Sequence, residues 1–194
     1  MNADKFCKNI KLNVGSLIGV LGEKNVDDNS INQFVKEFQS NFQNQISISR
    51  DYFDLQGEPT TLKTMVSGDL ILVRITASAA RNLPDALVVD LLPAGLEIEN
   101  QNLADASIDM SKLSVDGVSV ADWQQRQQVE HVEYRDDRFV AALRLDEYQS
   151  RQLFYLARAV TPGEYSVPAP YAEDMYRPFY HALGASPEKL VITP

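Results

Sequence analysis

One cysteine, Cys7, occurs in 194 residues. No intrachain disulfide can form, so the chain suits a reducing or an oxidising compartment. Phe6-Cys7-Lys8-Asn9 holds nothing that would activate the thiol, and an inert thiol is expected. Histidine is scarce too, with only His131 and His181. No cluster of His, Cys and carboxylates has metal-ligand spacing, and no metal or cofactor is expected. No apolar run is long enough to cross a bilayer. Gly15 to Gly22 (GSLIGVLG) is apolar but short, and it lacks the small-residue cleavage pattern of a signal peptide. Positive charge is in deficit, with 18 Lys and Arg against 27 Asp and Glu, a net charge of −9. Like-charge repulsion therefore argues against nucleic acid or anionic lipid as a partner. A Gly-x-Ser-x-Gly elbow, a glycine-rich phosphate loop, internal repeats and low-complexity runs are all missing.

What is present falls into two regions. Residues 1–45 are rich in Asn, Lys and Gln. There Ile31, Phe34, Val35, Phe38 and Phe42 recur at helical spacing, behind a Ser30/Gln33 capping box. The spacing predicts an amphipathic helix over 31–41. From Ile46 the period changes to two. Strands are predicted over 46–55, 70–79, 87–92, 129–134, 138–145, 153–160, 164–167 and 189–193. Gly57-Glu58-Pro59, Asn82-Leu83-Pro84-Asp85, Pro93-Ala94-Gly95 and Arg135-Asp136-Asp137-Arg138 supply turns. Residues 100–126 read as a long polar loop with one helical turn around Trp123. About seven or eight short strands without intervening helices predict an antiparallel β-sandwich over 46–194.

The residues 165–180 stand out. Tyr165, Tyr171, Met175, Tyr176, Phe179 and Tyr180 alternate with Pro168, Pro170 and Pro178. The prolines are expected to stiffen this stretch and keep it out of the sheet interior. Tyr165 and Phe179 are expected to fold back onto the core. Met175 and Tyr176 are weighed evenly between core packing and docking, since Met and amphipathic aromatics typify contact surfaces. Asp136 and Asp137 read as solvated turn acids weakly paired with Arg135 and Arg138.

Several segments together resemble the C-terminal end of bacterial alpha-2-macroglobulins. They are ISISRDYFDLQGEP (46–59), DALVVDLLPAGLEIEN (85–100), EHVEYRDDRFVAAL (130–143), YLARAVTPGEYSVPAPYAEDMYRP (155–178) and the terminal LVITP. The resemblance covers about 46–194 and leaves 1–45 unmatched. It implies a seven-stranded, fibronectin-like (macroglobulin-like) sandwich behind an N-terminal extension.

Whole members of that family are large periplasmic protease traps, often lipid-anchored. Cleavage of a bait region exposes a buried thioester that then links to the protease. The last domain covers the thioester, and the loop carrying Met175 and Tyr176, with Tyr171 and Arg177, resembles that cover. The implied partner is a thioester domain, in the same chain or another. Proteases would be met only through the whole inhibitor.

The thioester tetrad Cys-x-Glu-Gln does not occur here, and Cys7-Lys8-Asn9-Ile10 does not match it. A bait region is also lacking, so this chain is not expected to trap a protease by itself. It reads as a cut-down piece, a gene remnant or a free-standing module. The expected location is the periplasm, or the cytoplasm for a remnant without an export signal. An alternative is a sandwich module gripping a periplasmic or cell-wall ligand through the aromatic loop. A hydrolase built on His131 or His181 is a third reading.

Overall fold

The structure is a computed structural model that describes residues 45–99, 108–125, 129–186 and 189–194. The helix predicted over 31–41, its capping box and Cys7 lie outside the described residues. The strands in chain order are β1 (Ile46–Phe53), β2 (Pro59–Thr60), β3 (Thr64–Val66), β4 (Leu70–Ala79), β5 (Leu83–Leu91) and β6 (Leu96–Ile98). After a 3-10 turn at Met110–Lys112 come β7 (Ser114–Val115), β8 (Val118–Ser119) and the helix α1 (Val120–Gln125). Then follow β9 (Val129–Arg135), β10 (Arg138–Leu145), β11 (Ser150–Ala159), β12 (Gly163–Tyr165), β13 (Tyr171–Asp174), β14 (His181–Leu183) and β15 (Leu190–Thr193).

Two five-stranded sheets form the sandwich, in the orders β2-β1-β4-β11-β6 and β14-β13-β5-β10-β9. All their pairings are antiparallel. The expected all-β sandwich is therefore what folds. Its long strands follow the period-two pattern. In β10, Phe139, Ala141, Leu143 and Leu145 are buried while their neighbours are not. In β4, Ile71, Val73, Ile75 and Ala77 face inward in the same way. The β9–β10 turn is the two-residue Asp136-Asp137 connection expected from the charges.

Three features differ from the expectation. First, β5 starts at Leu83, inside the segment read as a turn. Pro84 is tolerated there because it lies near the strand's first residue, where a ladder N–H is least needed. Second, β15 runs parallel to β3 in a separate three-stranded sheet with β12.

Third, 108–125 is a covering layer rather than a bare loop. Met110, Leu113, Val115 and Val120 join Phe53, Leu72, Phe154 and Leu156 in one buried cluster on the outer face of the first sheet. This explains why Leu153 to Ala157 is buried without alternation. A strand covered on both faces reads as a continuous apolar run. The layer comes so close that a Cβ at Gly57, whose φ is 84°, would sit 1.8 Å from the Ser114 carbonyl oxygen. Only glycine fits there.

A buried ion pair crosses between the sheets. Arg50 on β1 donates to Asp90 on β5 at 2.6 Å, and both side chains are almost wholly enclosed. The Tyr155 hydroxyl donates to the other Asp90 oxygen at 2.6 Å. Arg50 also donates to the Pro168 carbonyl at 2.8 Å, which ties the ion pair to the segment leading into β13. Burial raises the Asp90 pKa, against the attraction of Arg50 and the hydrogen bonds from Tyr155 and Arg50.

Candidate interaction loop

The stretch read as a proline-stiffened loop outside the sheet is in part a sheet member. Tyr171 to Asp174 forms β13, hydrogen-bonded on one side to β5 and on the other to β14. Pro168 and Pro170 precede the strand and Pro178 follows it. The prolines thus bracket the ladder, where a missing N–H does no harm. The true loop is shorter, Met175 to Tyr180, at the tip of the β13–β14 hairpin.

Asp174 organises this loop. Its carboxyl group is 1% exposed. One oxygen accepts the backbone N–H groups of Tyr176 at 3.0 Å and Arg177 at 2.8 Å. The other accepts a two-pronged contact from the Arg177 guanidinium at 3.0 and 2.6 Å. Burial alone would raise the Asp174 pKa. The hydrogen bonds and charge of Arg177, with the two amides, outweigh it and hold the carboxyl below its ordinary range. Backbone bonds complete the frame. The Met175 N–H reaches Asp85 on β5 at 2.9 Å, and the Asp174 N–H reaches the Tyr180 carbonyl at 3.0 Å.

Tyr180 is the other support. It is buried, and two guanidinium groups lie over its ring, Arg81 at 5.0 Å and Arg177 at 5.3 Å from the centroid. Arg81 also donates a hydrogen bond to the Tyr180 hydroxyl. Phe179 is half-buried and tilted against Tyr180 at 4.6 Å. Behind the hairpin, the Gly184 N–H bonds the Pro170 carbonyl at 2.8 Å. A Cβ at Gly184 would lie 3.0 Å from the Ile48 carbonyl oxygen, so a bare backbone lets the hairpin seat against β1.

The four residues singled out from sequence have different fates. Met175 is 42% exposed and Tyr176 78% exposed, and both point away from the core. Arg177 is half-exposed and committed to Asp174. Tyr171 is partly covered and donates its hydroxyl to Glu173 at 2.6 Å, one residue pair below the loop. Burial, then the Glu173 bond, pushes the Tyr171 phenol well up. The outward apolar surface of the loop is therefore Met175 and Tyr176, with Arg177 as a brace. Asp174 and Arg81 are not singled out as supports by sequence, and Tyr180, named there among the loop aromatics, is a support rather than a contact residue. The i,i+3 spacing of Asp174 and Arg177 was a readable signal, whereas the long-range Arg81–Tyr180 contact left no trace in the local pattern.

His131 on β9 and His181 on β14 occupy opposite edges of one sheet, with three strands between them. At strand spacing that is roughly 19 Å, too far for a shared catalytic site. Among the described residues no three His, Cys, Asp or Glu side chains are grouped to hold a metal ion. Also among the described residues, no helix is long and apolar enough to cross a membrane.

Comparison with known proteins gives a consistent picture. The family model described as "Bacterial Alpha-2-macroglobulin MG10 domain" matches residues 46–178. The alpha-2-macroglobulin of Escherichia coli K12 is 47% identical over 151 residues, which are 78% of this chain and 9% of that protein. A crystal structure of the native Escherichia coli protein, from domain MG7 to the C-terminus, superposes with a TM-score of 0.72. There the identity is 47%, over 78% of this chain and 24% of that one. Salmonella alpha-2-macroglobulin reacted with methylamine gives a TM-score of 0.69 at 45% identity, over 78% of this chain and 9% of that one. The chain spans under a tenth of the length of these curated relatives. With a sandwich of the same shape and a family match across most of its described length, the chain belongs to the bacterial alpha-2-macroglobulin MG10 domain family.

Proposed function

We propose that this chain is a non-enzymatic docking domain whose Met175–Tyr180 loop covers the thioester of a separate thioester domain. That domain lies in the same polypeptide or in another. The setting is a periplasmic alpha-2-macroglobulin that meets proteases only as a whole molecule. The observation that carries the reading is the contrast within the loop. Its base is fixed by a buried carboxylate and a buried tyrosine, yet its tip holds out two large apolar side chains. Exposed methionine and tyrosine on a rigid support suit a contact surface, because little freedom is lost on docking.

The chemistry follows from the bond to be covered. A thioester carbonyl carbon is electrophilic. Water or an amine adds to it and the thiolate leaves. A well-packed apolar cover keeps the attacking nucleophile out. Moving the loop uncovers the bond, so the same contact acts as a latch.

The test uses a full-length inhibitor carrying this domain, with Met175→Ala and Tyr176→Ala together. The free thiol released by methylamine is followed over time. Burying such side chains contributes about 1.5 kcal/mol or more each, so thiol release should quicken about tenfold or more. The melting temperature of the domain should stay nearly constant, since neither side chain is in the core. An unchanged rate of thiol release refutes the cover.

A further inference from the structure

Arg81 is a cation with no acidic partner among the described residues, and it is bound to the loop's support. Among the described residues, every arginine except Arg81 and Arg144 lies within salt-bridge distance of a carboxylate. Arg144 is on β10, with β5 between it and the start of the loop. Arg81 is exposed in the β4–β5 turn and is bound to the loop's buried support, Tyr180. Its hydrogen bond goes to a neutral hydroxyl, so its positive charge is not spent on an acid and sits at the base of the loop that carries Met175 and Tyr176. Its place over the ring and its bond to the hydroxyl hold the guanidinium before any partner arrives. A planar cation ordered in advance loses little freedom when it meets an acid.

We infer that the docking surface of this domain is bipartite, with Arg81 as an electrostatic contact for a carboxylate at the rim of the apolar recess that receives Met175 and Tyr176. The partner is thus a protein surface that pairs an apolar hollow with an Asp or Glu at its edge. This rests on the proposed docking of the loop and adds the chemistry of the partner's rim. Charge complementarity favours this occupant. In a chain of net charge −9 an isolated cation gives a docking face its register, because a misplaced contact sets acid against acid.

The competing role is internal, with Arg81 serving only to prop Tyr180. Substitutions separate the two. In a full-length inhibitor whose last domain is this one, methylamine-driven thiol release is measured at low and high salt for Arg81→Lys, Arg81→Met and Arg81→Glu. The rim contact predicts rates ordered Lys, Met, Glu. Arg81→Lys should stay close to the parent, Arg81→Met should be about threefold faster, and Arg81→Glu about tenfold faster at low salt. High salt should bring parent and Arg81→Met together, since screening removes an exposed charge contact.

A propping role predicts that Lys, Met and Glu quicken release alike, independent of salt and in step with a lower melting temperature. That outcome overturns the inference. So does no effect from any of the three while Met175→Ala with Tyr176→Ala still quickens release. If the double variant has no effect, the cover itself fails, and the two failures are told apart.

Discussion

Asp90→Ala should lower the stability of the domain by about 3–5 kcal/mol. At the size of this domain that is a fall in melting temperature of about 10 °C. The loss arises from what is left behind. Arg50 stays enclosed without its counter-ion, the Tyr155 hydroxyl loses its acceptor, and the guanidinium must still bond the Pro168 carbonyl. The pair is not itself a large net stabiliser. Burial raises the Asp90 pKa despite the neighbouring Arg50, so taking the charge out of water outweighs the attraction it gains. Replacing both charges, Arg50→Met with Asp90→Leu, should therefore recover most of the loss. Thermal unfolding of the two variants checks this. An Asp90→Ala protein that melts with the parent would mean water reaches the pair, and the enclosed charge would then be a misreading.

Because Arg50 also holds the segment before β13, this interior pair bears on the loop. Arg50 on β1 reaches the segment before the hairpin at the Pro168 carbonyl. The Asp90→Ala variant should thus loosen the β13–β14 tip as well as the core.

What could be read in the sequence follows from how far each interaction reaches along the chain. β4 and β10 were legible to the residue because one face of each packs inward throughout, which writes a period of two into Ile71, Val73, Ile75 and into Phe139, Ala141, Leu143, with Leu72 buried besides under the covering layer. β13 was not. Tyr171 to Asp174 is a short strand between prolines, and its place beside β5 depends on Val88 and Ala86, more than eighty residues earlier. The covering layer was missed for a similar reason. Met110, Leu113, Val115 and Val120 have no common period, because their burial comes from the outer face of a distant sheet. Met175 and Tyr176 were weighed evenly between core and contact surface in the sequence, because methionine and tyrosine suit both; the structure leaves both exposed. The frame beneath them was hidden, since a lone Asp and a tyrosine look the same in sequence whether exposed or enclosed. Tyr180 was grouped with the candidates, yet it is a support.

That hidden frame gives the second large effect. Asp174→Ala should cost about 2–3 kcal/mol, because it removes a charged acceptor from two amides and a guanidinium at once. The Tyr176 and Arg177 amides should exchange with solvent much faster. Methylamine reactivity of the full-length inhibitor should rise as in the Met175 and Tyr176 double variant, although both side chains are intact.

The pH dependence has a definite sign. The folded pKa of Asp174 lies below its unfolded value, about 3.9. Its stabilisation is therefore complete above that value and lost as pH falls through the lower folded pKa. The melting difference between the parent and Asp174→Ala should be full at pH 7 and shrink below about pH 4. Asp174→Asn separates charge from geometry. Its amide oxygen can still accept the two backbone N–H groups, but its NH2 cannot accept from the Arg177 fork, so an intermediate loss with no acid titration is expected. If Asp174→Ala leaves exchange at Tyr176 and Arg177 unchanged, the loop is held by something other than this carboxylate, and its rigidity can no longer support docking.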